Sequence, residues 1–168
     1  RGELTEGDLA CLALPNGRAD LLERYAAWRA LHPEASPADA VLQVNMDQDR
    51  PFYSQVQILE EPGSLTALVN KHCALPDDYV PELEALGQGY GSGSLRPEAA
   101  QAFRAMADTA RAEGIRLYSV SAYRSFQQQK STYNNYLRQC RQATADTFSA
   151  RPGSSEHQTG LALDINAA

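Results

Sequence analysis

Residues 149–165, SARPGSSEHQTGLALDI, carry the feature of this chain that decides its fold. His157 lies in a loop rich in glycine and serine, and Asp164 follows it by seven residues within a short apolar segment. Imidazole and carboxylate both suit Zn²⁺, which in catalytic sites binds three protein ligands and keeps a fourth position for water. The stretch therefore predicts either two ligands of a zinc site or a hydrogen-bonded pair of His157 and Asp164 without a metal.

A strand is predicted at residues 161–165, where large apolar side chains alternate with other residues. Asp164 then lies on the face opposite the large apolar side chains. Because His157 and Asp164 are an odd number of residues apart, one straight strand would place them on opposite faces. We therefore expect Gly160 to provide a bulge or a tight bend that brings both side chains to one side.

A helix and a strand are predicted before this stretch. Pro97 begins the helix and Gly114 ends it, and its apolar stripe includes Phe103 and Met106. Residues 115–122 follow as a strand. Both elements are expected to build the core rather than to bind a ligand.

Arg124 lies at the junction between this strand and a second predicted helix. Ser125 can cap that helix, and Gln128, three residues later, completes a capping box. Side chains at such junctions often reach into an active-site cleft. The guanidinium of Arg124 could then stabilise an oxyanion or bind a substrate carboxylate through two parallel hydrogen bonds. The alternative is an ordinary surface salt bridge.

The upstream sequence predicts helices and a linker. Residues 19–31 carry apolar side chains at helical spacing, and Ser36 with Pro37 can begin another helix. Residues 87–94, GQGYGSGS, lack the spacing of a phosphate-binding loop, so we expect a flexible, exposed linker there.

Several separated motifs occur in an order that resembles one known family. They are residues 121–129 (SAYRSFQQQ), 149–153 (SARPG) and 155–164 (SEHQTGLALD), with residues 68–71 and 75–81 similar to the family's lead-in segment. These segments resemble the VanY-type D-alanyl-D-alanine carboxypeptidases. That family consists of zinc peptidases of the bacterial envelope, related in core fold to lysostaphin-type endopeptidases and the hedgehog signalling domain.

The resemblance implies a role for five residues. His157 and Asp164 would bind Zn²⁺, Arg124 would stabilise the oxyanion, and Gln129 and Ser155 would contact the substrate. The implied reaction is zinc-dependent D,D-carboxypeptidase hydrolysis, which removes the terminal D-alanine from peptidoglycan stem peptides. An L,D-carboxypeptidase acting on tetrapeptide stems and a non-catalytic peptidoglycan-binding module remain alternatives.

In the family, a Glu-x-x-His-type motif beyond the aspartate supplies the general base and the third zinc ligand. The residues that follow Asp164 contain no such motif. We therefore expect the peptidase domain to be truncated at its C-terminus and the site in this chain to be incomplete, which would leave the 168-residue chain inactive.

The expected fold is α+β, with a small antiparallel sheet that carries the site and helices packed against it. Residues 1–62 are expected to form a mainly helical N-terminal appendage, and residues 63–168 the VanY-like domain. Oligomeric state and disulfide pairing among the three cysteines stay open.

Composition excludes some partners. A formal net charge of −6 argues against nucleic acid, and no apolar run approaches the roughly 20 residues that span a bilayer. Because the chain begins with Arg1, an N-terminal signal or anchor could have been removed. The resemblance implies a location in the bacterial envelope or outside the cell.

Overall fold

The computed structural model describes residues 4–168, and the chain falls into two compact units divided between Ser54 and Gln55. This division lies upstream of the one expected at residue 62. Cys11 and Cys140 are free thiols. Within the described residues, no helix combines the length and the apolarity that crossing a membrane requires.

The described part of the first unit, residues 4–54, contains three α-helices and two short 3₁₀ turns. The helices are α1 (Glu6–Ala10), α2 (Leu22–Leu31) and α3 (Pro37–Asn45). Ser36 caps α3 with its hydroxyl, as the Ser36-Pro37 pair predicted. The fully buried Tyr25 joins α2 to α3, because its hydroxyl donates a hydrogen bond to Asn45 Oδ1 at 2.6 Å. The helical N-terminal segment is therefore confirmed.

The second unit, residues 55–168, combines three α-helices with three two-stranded sheets, which confirms the α+β class. The helices are α4 (Pro97–Ala112), α5 (Phe126–Leu137) and α6 (Gln142–Phe148). The strands are β1 (Gln57–Ile58), β2 (Cys73–Ala74), β3 (Glu84–Ala85), β4 (Ser94–Leu95), β5 (Leu117–Ser121) and β6 (Asp164–Ala167). Strands β1 and β2 are parallel, whereas β3 pairs with β4, and β5 with β6, in antiparallel fashion.

Helix α4 supplies one wall of the core of this unit. Ala100, Phe103 and Ala107 are buried at i, i+3 and i+7 and share a cluster with Leu95. Met106, expected in the same stripe, is 45% exposed because the buried face is rotated away from it.

The last strand begins later than the sequence predicted. β6 starts at Asp164 and not at residue 161, and Ile165, predicted on the apolar face of the strand, is 41% exposed. The partner strand sets this start, because Asp164 lies opposite Ser121, the last residue of β5. The register of the pairing shifts at a bulge between Ser119 and Ser121.

Residues 87–94 are largely exposed, as expected, but they are not a linker, because they lie along β5. Gly91 forms a parallel bridge with Ser119. Ser92 N donates to Ser119 O at 3.1 Å, and Ser119 N donates to Tyr90 O at 2.8 Å. Gly91 has a φ of 96°, and a Cβ at this position would collide with the backbone of Ser119. Glycine permits this close contact between the two backbones.

Replacing Gly91 with alanine should therefore destabilise the protein by about 2–5 kcal/mol, from the strained φ and the collision together. Gly89→Ala is a matched control, because Gly89 has a φ of 91° but open space around it. We expect that variant to lose only about 1–2 kcal/mol. The measurement is urea denaturation of both variants. Equal losses would contradict the close contact at Ser119.

Candidate active site

His157 lies in a 3₁₀ turn, Glu156–Thr159, with its ring partly buried. Its Nδ1 is 2.7 Å from the carbonyl oxygen of Ala122, just beyond the end of β5. Because a carbonyl oxygen can only accept, Nδ1 carries a proton, and in the neutral ring the lone pair is therefore on Nε2. A histidine held in this way is oriented as metal-ligating histidines usually are.

Asp164 approaches the same nitrogen. Its Oδ2 is 3.5 Å from His157 Nε2, and its side chain is 58% exposed. Gly160 makes this approach possible, because it ends the 3₁₀ turn in the left-handed region with a φ of 73°. The predicted bend at Gly160 is therefore present, and it brings the two predicted ligands together.

The pair passes a simple test of fit for zinc. Two ligands at 2.0–2.1 Å in a tetrahedral site lie about 3.3 Å apart, close to the separation of His157 Nε2 and Asp164 Oδ2. Among residues 4–168, no group of three or more His, Cys, Asp or Glu side chains is placed to hold a metal ion. The described residues thus supply two donors of the right chemistry.

Arg124 is connected to this pair through its backbone and its side chain. Its amide donates to the carbonyl of His157 at 3.1 Å. Its Nη2 donates to Ser121 Oγ at 3.0 Å, and Ser121 faces Asp164 across the sheet. The guanidinium is therefore held next to Ser121, the residue that faces Asp164. These partners differ from those of the surface salt bridge that was the alternative prediction for Arg124.

Gln129 is buried next to Arg124. It is 2% exposed, its Oε1 accepts from Arg124 Nη1 at 2.9 Å, and its Nε2 donates to Ala150 O at 2.6 Å. Each end of the amide makes one hydrogen bond and could make a second, so its burial, and not its bonding capacity, limits a contact with substrate. The predicted contact with substrate stays a prediction.

Ser155 directly precedes the 3₁₀ turn and is 5% exposed. Its carbonyl accepts from Gln158 N at 3.0 Å, which fixes the start of the turn. Its predicted contact with substrate also stays a prediction. Glu156, the first residue of the turn, is exposed.

A buried charged cluster, which the sequence did not predict, lies beside this site. Asp146 is 6% exposed and accepts hydrogen bonds from Tyr133 Oη at 2.6 Å, Arg151 Nε at 3.0 Å and Arg151 Nη2 at 2.7 Å. Lys71 donates to the backbone oxygen of Asp146. The sequence contained one indication of this cluster. Gln129 and Tyr133 are four residues apart, so these two side chains must share a face of α5.

Burial and hydrogen bonding act in opposite directions on Asp146. Burial alone would raise the pKa of this carboxyl, but the bonds from Arg151 and Tyr133 outweigh it and hold the pKa below the usual 3.8. Burial and the neighbouring carboxylate both raise the pKa of Tyr133 above 10.0. The cluster is therefore an ionised Asp146 with a neutral Tyr133 and a charged Arg151.

This cluster predicts a pH dependence of stability. A carboxyl with a lowered folded pKa stabilises the fold above its unfolded pKa, and that contribution is lost as the pH falls through the folded pKa. Below about pH 4, the free energy of unfolding should therefore fall more steeply for the wild type than for Asp146→Asn. At neutral pH the variant should be less stable by about 1–3 kcal/mol. Urea denaturation across this pH range would measure both effects, and parallel curves would contradict the assignment.

Comparison with known proteins identifies relatives. The family model for D-alanyl-D-alanine carboxypeptidases, VanY, matches residues 92–168. YodJ of Bacillus subtilis, provisionally described as a carboxypeptidase, is 38% identical over 118 residues, which are 66% of this chain and 43% of YodJ. A D-alanyl-D-alanine carboxypeptidase of Enterococcus faecalis is 34% identical over 110 residues, which are 60% of this chain and 40% of that protein.

Among solved structures, the LD-carboxypeptidase LdcB superimposes with a TM-score of 0.63 at 38% identity. The match covers 67% of this chain and 56% of LdcB. The matched part of the chain thus spans less than half the length of the two curated relatives. Family model, relatives and structure agree, and together they support the assignment of residues 92–168 to the VanY-type carboxypeptidase family.

Proposed function

We propose that this chain is part of a zinc-dependent carboxypeptidase that removes the terminal D-alanine from peptidoglycan stem peptides in the bacterial envelope or outside the cell. The observation that carries the proposal is the geometry at His157. Its Nε2 is freed by the bond from Nδ1 to Ala122 and lies 3.5 Å from Asp164 Oδ2. The backbone of Arg124 is tied to the same histidine.

His157 and Asp164 would hold the zinc ion in this reaction. When bound, zinc lowers the pKa of a bound water and polarises a carbonyl. Arg124 would then stabilise the negative charge that develops on the carbonyl oxygen, or would bind the terminal carboxylate of the peptide. Because Gln129 and Ser121 hold its guanidinium in place, Arg124 needs little reorganisation when that charge forms.

Two stem peptides are candidate substrates. The E. faecalis relative is a D-alanyl-D-alanine carboxypeptidase, which favours a pentapeptide ending in D-Ala-D-Ala. LdcB, an LD-carboxypeptidase, shares 38% identity and the fold, which favours a tetrapeptide in which D-alanine follows an L-centre. We propose the D,D reaction first and the L,D reaction as the second candidate.

The test is release of free D-alanine from each of the two muropeptides. Both the 168-residue chain and the complete polypeptide that its gene encodes should be assayed with zinc, with EDTA, and after zinc is restored to the EDTA-treated protein. Release that stops with EDTA and returns with zinc supports the proposal, and the preferred muropeptide separates the D,D from the L,D reaction.

Binding of muropeptide by the complete polypeptide without any release would overturn the enzymatic proposal. That outcome would identify a non-catalytic peptidoglycan-binding module instead.

A further inference from the structure

The buried cluster at Asp146 is linked to Arg124 by a series of hydrogen bonds and one peptide bond. Arg151, paired with Asp146 through two parallel bonds, directly follows Ala150 in the chain. The carbonyl of Ala150 accepts from Gln129, and the other end of that amide accepts from Arg124. Each bond in this series has a donor–acceptor distance of 3.0 Å or less.

Helix α5 holds both ends of this series. Gln129 and Tyr133 lie one turn apart on its buried face, with 2% and 5% exposure. Tyr133 Oη is bonded to Asp146 in α6, and the Gln129 amide is bonded to Ala150 in the loop after α6, so α5 is fixed both to α6 and to that loop. A displacement of Arg151 therefore moves Ala150 O and with it the partner of Arg124.

We infer that Asp146 is a positioning residue for Arg124, acting through Arg151, Ala150 and Gln129; the inference rests on the proposed function. The paired bonds between Asp146 and Arg151 fix direction as well as distance, because a guanidinium and a carboxylate meet in one plane. The side chain of Asp146 is 8% exposed, so water competes little for these bonds. Such supporting contacts hold reactive groups in their productive geometry.

The test begins with Asp146→Asn, which keeps the size of the side chain and removes its charge. We expect kcat to fall about 10- to 100-fold with little change in KM, as for other residues that orient a reactive group. Tyr133→Phe removes a single hydrogen bond to the same carboxylate. It replaces Asp146→Asn in the test if Asp146→Asn fails to fold. Asp108→Asn is the matched control, because Asp108 accepts from Tyr90 and Arg111 in a similar trio on the exposed face of α4.

A double-mutant cycle separates positioning from general stability. In an Arg124→Ala background, Asp146→Asn should lower kcat by no more than about 3-fold, because the residue it positions is already absent. An equal loss in both backgrounds, or an unchanged kcat in the folded single variant, would overturn the inference.

A second readout does not depend on turnover. In ¹⁵N-resolved NMR spectra, the side-chain N–H signals of Arg124 should shift in Asp146→Asn and not in Asp108→Asn. If the wild type releases no D-alanine, the proposed function fails and these signals alone decide the inference. Unshifted Arg124 signals in a folded Asp146→Asn variant would overturn it.

Discussion

Replacing His157 with alanine should eliminate stoichiometric zinc binding and reduce D-alanine release to background, a loss of at least about 100-fold. The reason is that His157 Nε2 is one of the two proposed zinc ligands. Without it, the variant keeps only the exposed carboxylate of Asp164 as a donor to zinc. Loss of a residue that merely supports a ligand already costs about 10- to 100-fold, so loss of the ligand should cost more. The measurement is metal content after dialysis, together with release of D-alanine from the muropeptide.

His32→Ala provides a control for this variant. His32 lies at the end of α2 in the other unit, where its Nδ1 is 2.8 Å from Trp28 O and its ring stacks on Trp28. Zinc content should be unchanged in that variant. If His157→Ala retained one zinc per chain, the ligand assignment would be wrong, and the contact with Asp164 would be an ordinary ion pair.

Local sequence rules predicted the elements that hold this site. The capping box of Ser125 and Gln128 starts α5, and Pro97 starts α4, where the sequence placed them. Gly160 bends the chain because its φ of 73° is one that glycine adopts without strain. Each of these features depends on a few adjacent residues, so the sequence alone is informative about them.

The features that the sequence did not reveal depend on contacts between distant segments. The start of β6 at Asp164 follows from its pairing with Ser121, more than 40 residues earlier in the chain. The composition of residues 87–94 predicts a linker, and only the backbone bonds to Ser119 show that this segment lies along β5. The cluster at Asp146 likewise brings together residues from three separate parts of the chain. Residue type and spacing alone do not specify such pairings.

Replacing Arg124 with alanine should lower kcat by about 100- to 1,000-fold while zinc content stays unchanged. Removing one preorganised donor from a developing oxyanion costs about 2.7–4 kcal/mol in comparable sites, and Arg124 is preorganised by Gln129 and Ser121. Arg124→Lys should recover only part of the rate, because an ammonium cannot keep both of these bonds in the geometry of a planar guanidinium.

The division of the effect between kcat and KM identifies the role of Arg124. A loss in kcat alone indicates stabilisation of the oxyanion, whereas a large rise in KM indicates binding of the terminal carboxylate in the ground state. Arg138→Ala is the matched control, because Arg138 directly follows α5, is exposed and donates a hydrogen bond from its guanidinium to the nearby Asn135. Steady-state kinetics on the preferred muropeptide would measure all three variants. Unchanged kcat and KM in Arg124→Ala would remove this residue from the mechanism and leave its bonds to Gln129, Ser121 and the His157 carbonyl a purely structural role.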